Sequence, residues 1–354
     1  MTCSEESLYC LAEAQNCSYS LVNTWNCDPG KIAPYLQDFR VDRYGYRLIP
    51  NGQLVSPALI GLGNHWELLP ETAPFGNIRS RSLWKIRATS YFPSCKHFDY
   101  PICCLLDWQR WHDAYFHWLF DTLPRALAAL DYQQKTKSKV GLLVSSDIKQ
   151  WQIDSLLRLG LDQGSFILIN RSDINTSISS SALIVAPPAR GQGLYGSPYD
   201  CMHPGLVRQL AYKLINVPGG LGSCLEKIIK IFISRGDAQT RRIINEDKVS
   251  TLLESHGFRV IYLANMAFGD QVNLFGSASH IVAAHGGGLS NLLFSSKANI
   301  LELFADGHEV RPDYFQLATI KSLSYYYCVS ASVNQSNDFF LDLFVLEKFI
   351  ELTC

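Results

Sequence analysis

Residues 279–304 have the sequence SHIVAAHGGGLSNLLFSSKANILELF, and the pattern predicts a strand, loop, helix and strand of an α/β sheet. The expected strands cover 280–284 and 300–304, and the short helix covers 289–294. Three consecutive glycines, Gly286, Gly287 and Gly288, leave the backbone N–H groups of the loop unobstructed. The helix start beside them carries partial positive charge. These features predict an anion site for a phosphorylated ligand, with His285 at its mouth.

The glycine loop alone does not identify the ligand. It matches neither the dinucleotide fingerprint GxGxxG nor the P-loop pattern that ends in Lys-Ser/Thr, and glycines after a strand often form only a tight turn. The second strand adds information, because it places Glu302 near the carboxyl end of a strand that we expect to be parallel. Open α/β sheets bind ligands at that edge, where a carboxylate can accept hydrogen bonds from the two hydroxyls of a ribose. The alternative is a solvated glutamate at a strand end.

The composition limits the class of protein. A chain of 354 residues is too long for one ordinary core and is expected to form two domains. The hydrophobic fraction of 47% is typical of a folded globular protein, and the net charge of −1 argues against a nucleic-acid binder. No apolar run approaches the ~18 residues of a membrane span, and the polar N-terminus lacks the pattern of a secretory signal. We therefore expect a cytoplasmic protein, with peripheral attachment to a membrane left open.

The cysteines do not predict a metal site. The chain has eleven of them, an odd number, and no CxxC pair. Both observations argue against a full disulfide framework and against a zinc site. No metal and no cofactor are predicted.

A glycine-rich segment is the best candidate for a domain boundary. NVPGGLGS, residues 216–223, contains one proline and three glycines. It separates a predicted N-terminal domain (1–215) from a C-terminal domain (216–335), with a final helix in 336–354 that could pack across the hinge. Residues 1–105 look irregular apart from short strands and a hairpin predicted at Asn51-Gly52. Alternating strands and helices on both sides of the linker predict two doubly wound, Rossmann-like sheets that face a cleft.

Hydrophobic periodicity gives the remaining elements. A helical pattern begins at Trp108, and Pro124 is expected to kink or end that helix. The other predicted strands are 140–144, 166–169, 182–186, 228–234, 258–263 and 325–329. The other predicted helices are 153–159, 205–214, 246–256, 268–275 and 339–352.

The segment HDAYFHWLFDTLPRAL, residues 112–127, carries the candidate for a general base. On a helix, His117 and Asp121 are four residues apart on one face, close enough for the carboxylate to orient the imidazole. An oriented histidine can deprotonate an acceptor hydroxyl, and an aspartate can do so itself. A structural role for a half-buried histidine among aromatic residues is the alternative.

The segment ISRGDAQTRRIINED, residues 233–247, carries candidate phosphate ligands. A buried strand delivers Arg235 to the carboxyl edge of the C-terminal sheet, and Arg241 and Arg242 follow in a turn. A guanidinium can hold a pyrophosphate through paired hydrogen bonds. For Arg241 and Arg242 a solvated turn is an equally good interpretation.

Several motifs together resemble one enzyme family. ISRGDAQTRRIINED, the following Gly-Phe-x-Val strand, FGDQVNLFGSASHIVAAHGGGLSNLLF and NILELF occur in the order seen in the C-terminal half of glycosyltransferase family 61. FHWLFDTLPR is similar to the His-x-x-x-Asp helix of that family. The resemblance covers roughly residues 228–305. It implies a two-domain GT-B fold and an inverting, metal-independent glycosyltransferase that uses a nucleotide sugar.

The resemblance also implies roles for individual residues. Arg235 and the loop from His285 to Gly288 correspond to binders of the donor diphosphate, and Ser290 and Asn291 to donor contacts at the following helix start. Glu302 corresponds to the ribose contact, and His117 and Asp121 to the acceptor side. The sequence departs from the family at Ala114, where an asparagine is often found, and mildly at Gly287, where an alanine is frequent.

The sequence thus predicts transfer of a hexosyl, N-acetylhexosaminyl or pentosyl group from a UDP-sugar. The acceptor is a hydroxyl of a glycan, a polysaccharide precursor or a protein, and His117 or Asp121 is the base. A binding protein that kept the fold and lost turnover is the first alternative, because of Ala114. A nicotinamide-dependent oxidoreductase is the second, and the missing GxGxxG after any strand argues against it.

Overall fold

The computed structural model describes residues 9–17, 39–55, 60–63, 67–69, 72, 94–106, 113–170, 176–187, 189–191, 201–217, 229–307 and 310–354. Every candidate site residue lies in these ranges. The chain forms two compact units: Met1–Gln15 with Arg40–Val217, and Asn16–Phe39 with Pro218–Cys354. The division between Val217 and Pro218 falls within the predicted linker 216–223, of which residues 218–223 lie outside the described ranges.

From residue 113 onward the described elements include both helices and strands, with five successive strands between residues 166 and 202. In chain order, the strands are β1 (Tyr9–Ala12), β2 (Gln15–Cys17), β3 (Phe39–Val41), β4 (Tyr44–Pro50), β5 (Gln53–Val55), β6 (Ile60–Leu62), β7 (Ser94–Phe98), β8 (Ile102–Cys104), β9 (Gly141–Ser145), β10 (Phe166–Ile169), β11 (Thr176–Ser180), β12 (Ala182–Val185), β13 (Arg190–Gly191), β14 (Cys201–Met202), β15 (Ile229–Ile233), β16 (Phe258–Ile261), β17 (Ala278–Ala284), β18 (Asn299–Ala305) and β19 (Ser324–Ser330). The α-helices are α1 (Tyr115–His117), α2 (Leu123–Thr136), α3 (Gln150–Leu159), α4 (Pro204–Ile215), α5 (Glu246–Ser255), α6 (Phe268–Ser277), α7 (Asp313–Ile320) and α8 (Leu343–Thr353). A π-helical segment, Trp118–Thr122, joins α1 to α2, and 3₁₀ segments cover Gln163–Ser165, Leu263–Asn265 and Gly287–Phe294. Across the described ranges, no helix has the length and hydropathy that crossing a bilayer requires.

The sheet of the C-terminal unit is parallel throughout, with the strand order β16-β15-β17-β18-β19. Its central strands are the apolar runs IKIFI, ASHIVAA and NILELFA, as expected for strands covered on both faces. Numbered from its first strand, the order is 2-1-3-4-5, a doubly wound arrangement. The parallel sheet predicted for this unit is confirmed. Its ligand crevice is expected where the order reverses, between β15 and β17.

The final helix packs into the core of the C-terminal unit. Helix α8 begins after Asp342, whose side chain accepts a hydrogen bond from the Phe344 N–H at 3.0 Å. Its buried residues recur at helical spacing and pack with α5 and the sheet: Val345, Leu346, Phe349 and Ile350. The helix starts later than the predicted residue 339, because residues 339–342 form an extended segment with a bridge between Ile243 and Phe339.

The N-terminal unit differs from its predicted architecture. Its larger sheet has the order β1-β4-β12-β8-β9-β10, in which β12, β8, β9 and β10 are parallel and β4 is antiparallel to both of its neighbours, β1 and β12. A second sheet has the order β6-β5-β11-β7. The prediction of a doubly wound parallel sheet is therefore wrong for this unit. Residues 1–105, expected to be irregular apart from short strands and a hairpin, supply several strands of these sheets, because the pairing of short strands depends on distant partners and not on a local pattern.

The predicted hairpin at Asn51-Gly52 is also wrong. Strand β4 pairs with β12 in the first sheet, whereas β5 pairs with β11 in the second. Asn51 adopts the left-handed conformation (φ 50°), and its N–H donates to the Ser181 carbonyl at 3.0 Å. The turn carries the chain from one sheet to the other, so the strands on its two sides do not pair.

Pro124 does not break the helix that carries the candidate base. The described helical residues begin at Tyr115, and residues 107–112 lie outside the described ranges. In the π segment the Leu123 N–H donates to the Trp118 carbonyl, five residues back, and the helix then continues to Thr136. The wider turn shifts the hydrogen-bond ladder just before Pro124, where a regular α-helix would clash with the ring and miss an N–H.

Candidate active site

A crevice opens in the C-terminal unit where the strand order reverses. Residues at the carboxyl ends of β15 and β17 line it together with the loop and 3₁₀ residues that follow. The lining consists of Ile233, Ser234, Arg235, Asp237, Ala238, Leu263, Ala264, Ala283, Ala284, Gly288 and Leu289. The arginine motif and the glycine loop, well separated in sequence, thus meet at the edge where doubly wound sheets bind ligands.

Arg235 follows β15 and lies against the first glycine of the loop. A Cβ added at Gly286 would come within 2.1 Å of Nη1 of Arg235, so this close approach requires glycine. Nε and Nη2 of Arg235 donate to the Thr240 carbonyl at 3.3 and 3.0 Å. Burial and the neighbouring Arg241 guanidinium lower the pKa of Arg235 to about 10, so it stays protonated at neutral pH.

Arg241 adds a second positive charge from a strained backbone position. Its φ of 57° is left-handed, and its N–H donates to the Ser336 carbonyl at 2.9 Å. A non-glycine residue there costs about 1–2 kcal/mol. Burial lowers the pKa of Arg241, and the nearby Tyr314 and Glu302 oppose that effect. Arg241 does not line the crevice, but its guanidinium is close enough to Arg235 to repel it, and a multiply charged anion would relieve that repulsion.

Glu246 on α5 anchors the loop that carries these arginines. The Ser234 hydroxyl donates a short hydrogen bond to Oε1 of Glu246, and the Arg235 N–H donates to Oε2 at 3.3 Å. The Gly236 N–H then donates to Oγ of Ser234 at 3.0 Å. The direction in which the chain leaves β15 is thereby fixed. Sequence reasoning missed Glu246, since it treated this stretch only as a helix start.

The glycine loop leads into a 3₁₀ helix, Gly287–Phe294, where a short helix was predicted over 289–294. Gly287 is exposed and Gly288 lines the crevice, whereas Ser290 and Asn291 are fully buried. Nδ2 of Asn291 donates to the Gly288 carbonyl at 3.1 Å and to Oε1 of Gln271 at 2.9 Å. Ser290 and Asn291, expected as donor contacts, thus have buried side chains, and that of Asn291 supports the loop through the Gly288 carbonyl.

His285 rests on a buried carboxylate. Its Nδ1 lies 2.5 Å from Oε1 of Glu302, and the Tyr325 hydroxyl donates to Oε2 at 2.5 Å. The ring stacks on Phe304 with centroids 4.9 Å apart and is tilted against Tyr314 at 5.3 Å. Glu302 is 0% exposed and lies within β18, not at its end. His285 and Tyr325 thus contact both of its oxygens, and the expected ribose contact of Glu302 stays a prediction.

Arg242 has a structural partner. Its Nη2 and Nε donate to Oδ2 of the buried Asp338 at 2.8 and 3.2 Å, and its backbone N–H donates to Oδ1 at 2.8 Å. These hydrogen bonds hold the pKa of Asp338 down at about 2. Arg242, a candidate donor ligand by sequence, thus ties its loop to the segment before α8.

In the N-terminal unit, the predicted contact between His117 and Asp121 is confirmed. Nδ1 of His117 lies 2.6 Å from Oδ2 of Asp121. Because an ionised carboxylate only accepts hydrogen bonds, the proton in this contact belongs to Nδ1. In the neutral ring Nε2 is then the basic nitrogen. Ala114, the departure from the family pattern, lies just before α1 and accepts a hydrogen bond from the Trp118 N–H at 3.0 Å.

Arg190 completes this cluster and was missed by the sequence analysis. Its Nε and Nη2 each donate to Asp121, to Oδ1 and Oδ2, at 3.2 Å. Its Nη2 is also 3.3 Å from Nδ1 of His117, and its guanidinium lies over the Phe116 ring at 4.7 Å. Burial opposes the ionisation of Asp121, but Arg190 and His117 outweigh it, and the pKa of Asp121 stays below its ordinary value.

The described residues do not gather His, Cys, Asp and Glu side chains in groups of three that could hold a metal ion. A family model described as Glycosyltransferase 61 matches residues 115–301, more than half of the chain. The matched range begins with α1 and ends within β18. It includes His117, Asp121, Arg235 and the glycine loop, and Glu302 is the next residue. No curated protein matches the chain.

Proposed function

Because the chain belongs to glycosyltransferase family 61, we propose that it is an inverting glycosyltransferase that uses a UDP-sugar. The transferred group is a hexosyl, N-acetylhexosaminyl or pentosyl unit. The acceptor is a hydroxyl of a glycan, a polysaccharide precursor or a protein. The proposal includes a GT-B arrangement, in which donor and acceptor bind to different domains, and a reaction that needs no metal ion.

The crevice at the reversal of strand order is the observation that carries the donor site. Arg235 lines this crevice, Arg241 adds a positive charge close to Arg235, and Gly286 lets the Arg235 guanidinium approach the loop backbone. A diphosphate can accept paired hydrogen bonds from a guanidinium and relieves the repulsion between the two arginines. His285 and the N–H groups of the loop are the further donors in this proposal. Arg242, bound to Asp338, is left out.

His117 is the proposed base, in preference to Asp121. Both oxygens of Asp121 accept hydrogen bonds from Arg190, and Oδ2 also contacts His117. A carboxylate stabilised in this way is a poor proton acceptor. Asp121 instead fixes the tautomer of His117, and Nε2 receives the proton.

The proposed chemistry is a single displacement. His117 Nε2 takes the proton of the acceptor hydroxyl as its oxygen attacks the anomeric carbon from the face opposite the diphosphate. The bond between that carbon and the phosphate oxygen breaks, and its electron pair leaves with UDP. Arg235 and Arg241 stabilise the negative charge that develops on the leaving group. The products are an inverted glycoside, UDP and a protonated histidine, which returns its proton to solvent.

A binding protein without turnover is the second candidate, and Ala114 favours it. The residue before α1 offers no side-chain hydrogen bond where the family often has an asparagine. This candidate shares the donor site and differs only in lacking the chemical step.

Turnover of a panel of nucleotide sugars tests the proposal. The donor is incubated with glycan acceptors or water alone, and the anomeric configuration of the product is read by proton NMR. We expect release of UDP in EDTA, an inverted product, and a loss of at least about 100-fold in His117→Gln. Binding of UDP without turnover of any donor would select the second candidate, and a retained configuration would exclude inversion.

A further inference from the structure

Arg190 occupies an unusual position for an arginine. It lies on the two-residue strand β13, which pairs with β14, and its side chain is only 5% exposed. A buried guanidinium is costly to desolvate, so it persists only with good partners. Its partner here is the carboxylate of Asp121, bound through both Nε and Nη2.

Within the part of the chain that the structure describes, the cationic side chains that contact Asp121 are His117, Arg190 and Arg125. His117 faces it from one turn earlier on the same helix, and Arg190 faces it from β13. Arg125, on α2, donates from Nε to the backbone carbonyl of Asp121 at 3.3 Å and from Nη1 to the Cys104 and Leu106 carbonyls. Arg125 thus supports the helix, whereas Arg190 contacts the carboxylate itself.

We propose that Arg190 is a positioning residue. It makes His117 the base and Asp121 the group that fixes the tautomer of His117. Its guanidinium keeps Asp121 ionised and immobile, so that the carboxylate accepts the Nδ1 proton of His117 and the transferred proton goes to Nε2. The inference rests on the proposed function, in which His117 is the base. It assigns to this chain a third member of the acceptor-side cluster.

Loss of the Arg190 guanidinium changes the electrostatic environment of the pair of His117 and Asp121. Removal of a positive charge raises the pKa of every titrating group close to it. Without Arg190, the pair of His117 and Asp121 therefore binds its proton at higher pH. The variant then reaches its active, deprotonated form only at higher pH. The acid limb of its kcat/KM profile therefore moves to higher pH.

The experiment compares Arg190→Gln and Arg190→Lys with Arg158→Gln. Arg158 is a suitable control because it is a partly buried arginine of the same unit, bound to the Leu214 carbonyl at 3.0 Å and remote from the pair in sequence and role. We expect Arg190→Gln to lower kcat by about 10- to 100-fold and to move the acid limb upward. Arg190→Lys keeps the charge but loses the paired geometry, so it should lower kcat while the acid limb stays in place. UDP affinity should be unchanged in all three variants.

A second readout does not depend on turnover. Nitrogen-15 NMR of the histidines should show His117 protonated at Nδ1 in the wild type and a changed tautomer ratio in Arg190→Gln. If Arg190→Gln does not fold, the comparison of Arg190→Lys with the wild type stands in for it. Unaltered kcat and acid limb in Arg190→Gln, or a wild-type His117 protonated at Nε2, would overturn the inference. If the wild type turns over no donor, the proposed function fails, while the NMR result still decides the positioning role.

Discussion

The imidazole of His285 is held 2.5 Å, Nδ1 to Oε1, from the fully buried carboxylate of Glu302. His285 is the first residue after β17, and Glu302 lies on the neighbouring strand β18 of the parallel sheet. The Tyr325 hydroxyl donates a hydrogen bond to the other carboxylate oxygen, Oε2. We therefore expect Glu302 to act on the proposed donor site through His285 and through the nearby Arg241, and not through an exposed oxygen.

Glu302→Gln separates this role from a direct ribose contact. The substitution keeps the shape of the side chain but removes the charge, and we expect it to destabilise the fold by about 1–3 kcal/mol. UDP and 2′-deoxy-UDP should lose affinity by the same factor, since the ribose hydroxyl is not involved. Titration calorimetry with both ligands measures this. If the wild type distinguishes the two nucleotides and Glu302→Gln does not, Glu302 contacts the ribose hydroxyl directly and this expectation is wrong.

Gly286→Ala should weaken UDP binding at the proposed donor site while the protein still folds. The new Cβ would lie 2.1 Å from Nη1 of Arg235, so the guanidinium must move. We expect UDP affinity to fall by roughly 10-fold or more, the loss of one charged hydrogen-bond partner.

Gly276→Ala is the matched control for that change. A Cβ at this helical position has its nearest neighbour at 3.9 Å, an ordinary contact. It should leave UDP binding unchanged and slightly stabilise α6. Equal UDP affinities in the two alanine variants would contradict the placement of Arg235 against the loop.

Arg241→Gly should make the protein more stable and a poorer binder at once. Glycine relieves the left-handed backbone, worth about 1 kcal/mol, and removes the repulsion with Arg235. UDP affinity should fall by about 10- to 100-fold. Thermal unfolding with and without UDP measures both effects. Arg241→Gln, which keeps the backbone strain, should lose binding with a smaller gain in stability, and a destabilised Arg241→Gly would argue for a structural arginine.

The pair of Arg242 and Asp338 predicts how stability depends on pH. The folded pKa of Asp338 is about 2, below its ordinary value of 3.8. Its contribution to stability is therefore present above pH 3.8 and is lost as pH falls toward 2. Asp338→Asn should be less stable than the wild type at pH 7, with a difference that shrinks between pH 4 and pH 2. Urea unfolding at several pH values tests this, and a difference independent of pH would exclude the ion pair as its source.

The sequence predicted the C-terminal unit well because its strands are continuous apolar runs with clear ends. The strand predicted over 280–284 is observed as Ala278–Ala284, and that over 300–304 as Asn299–Ala305. The strands β1 and β4 of the other unit were not predicted, since their pairing partners are distant in the chain. No local pattern marks such partners.

The same distinction applies to the candidate site. His117 and Asp121 were found because helical spacing brings them together, and the contact is present. Arg190 was not predicted, because it is 69 residues away from Asp121 in the sequence and lies in a two-residue strand that has no periodic pattern. Tyr325 could have been suggested by the predicted neighbouring strand, but no pattern shows which of three consecutive tyrosines faces Glu302.

Titration of UDP into the protein in EDTA, measured by calorimetry, tests the proposed donor site most directly. Arg259→Gln provides the control, since Arg259 is an exposed arginine on β16 of the same unit. We predict saturable binding to the wild type and to Arg259→Gln, weakened by about 10- to 100-fold in Arg235→Gln. Absence of binding to the wild type, or equal affinity in Arg235→Gln, would contradict the assignment of the crevice to a nucleotide-sugar donor.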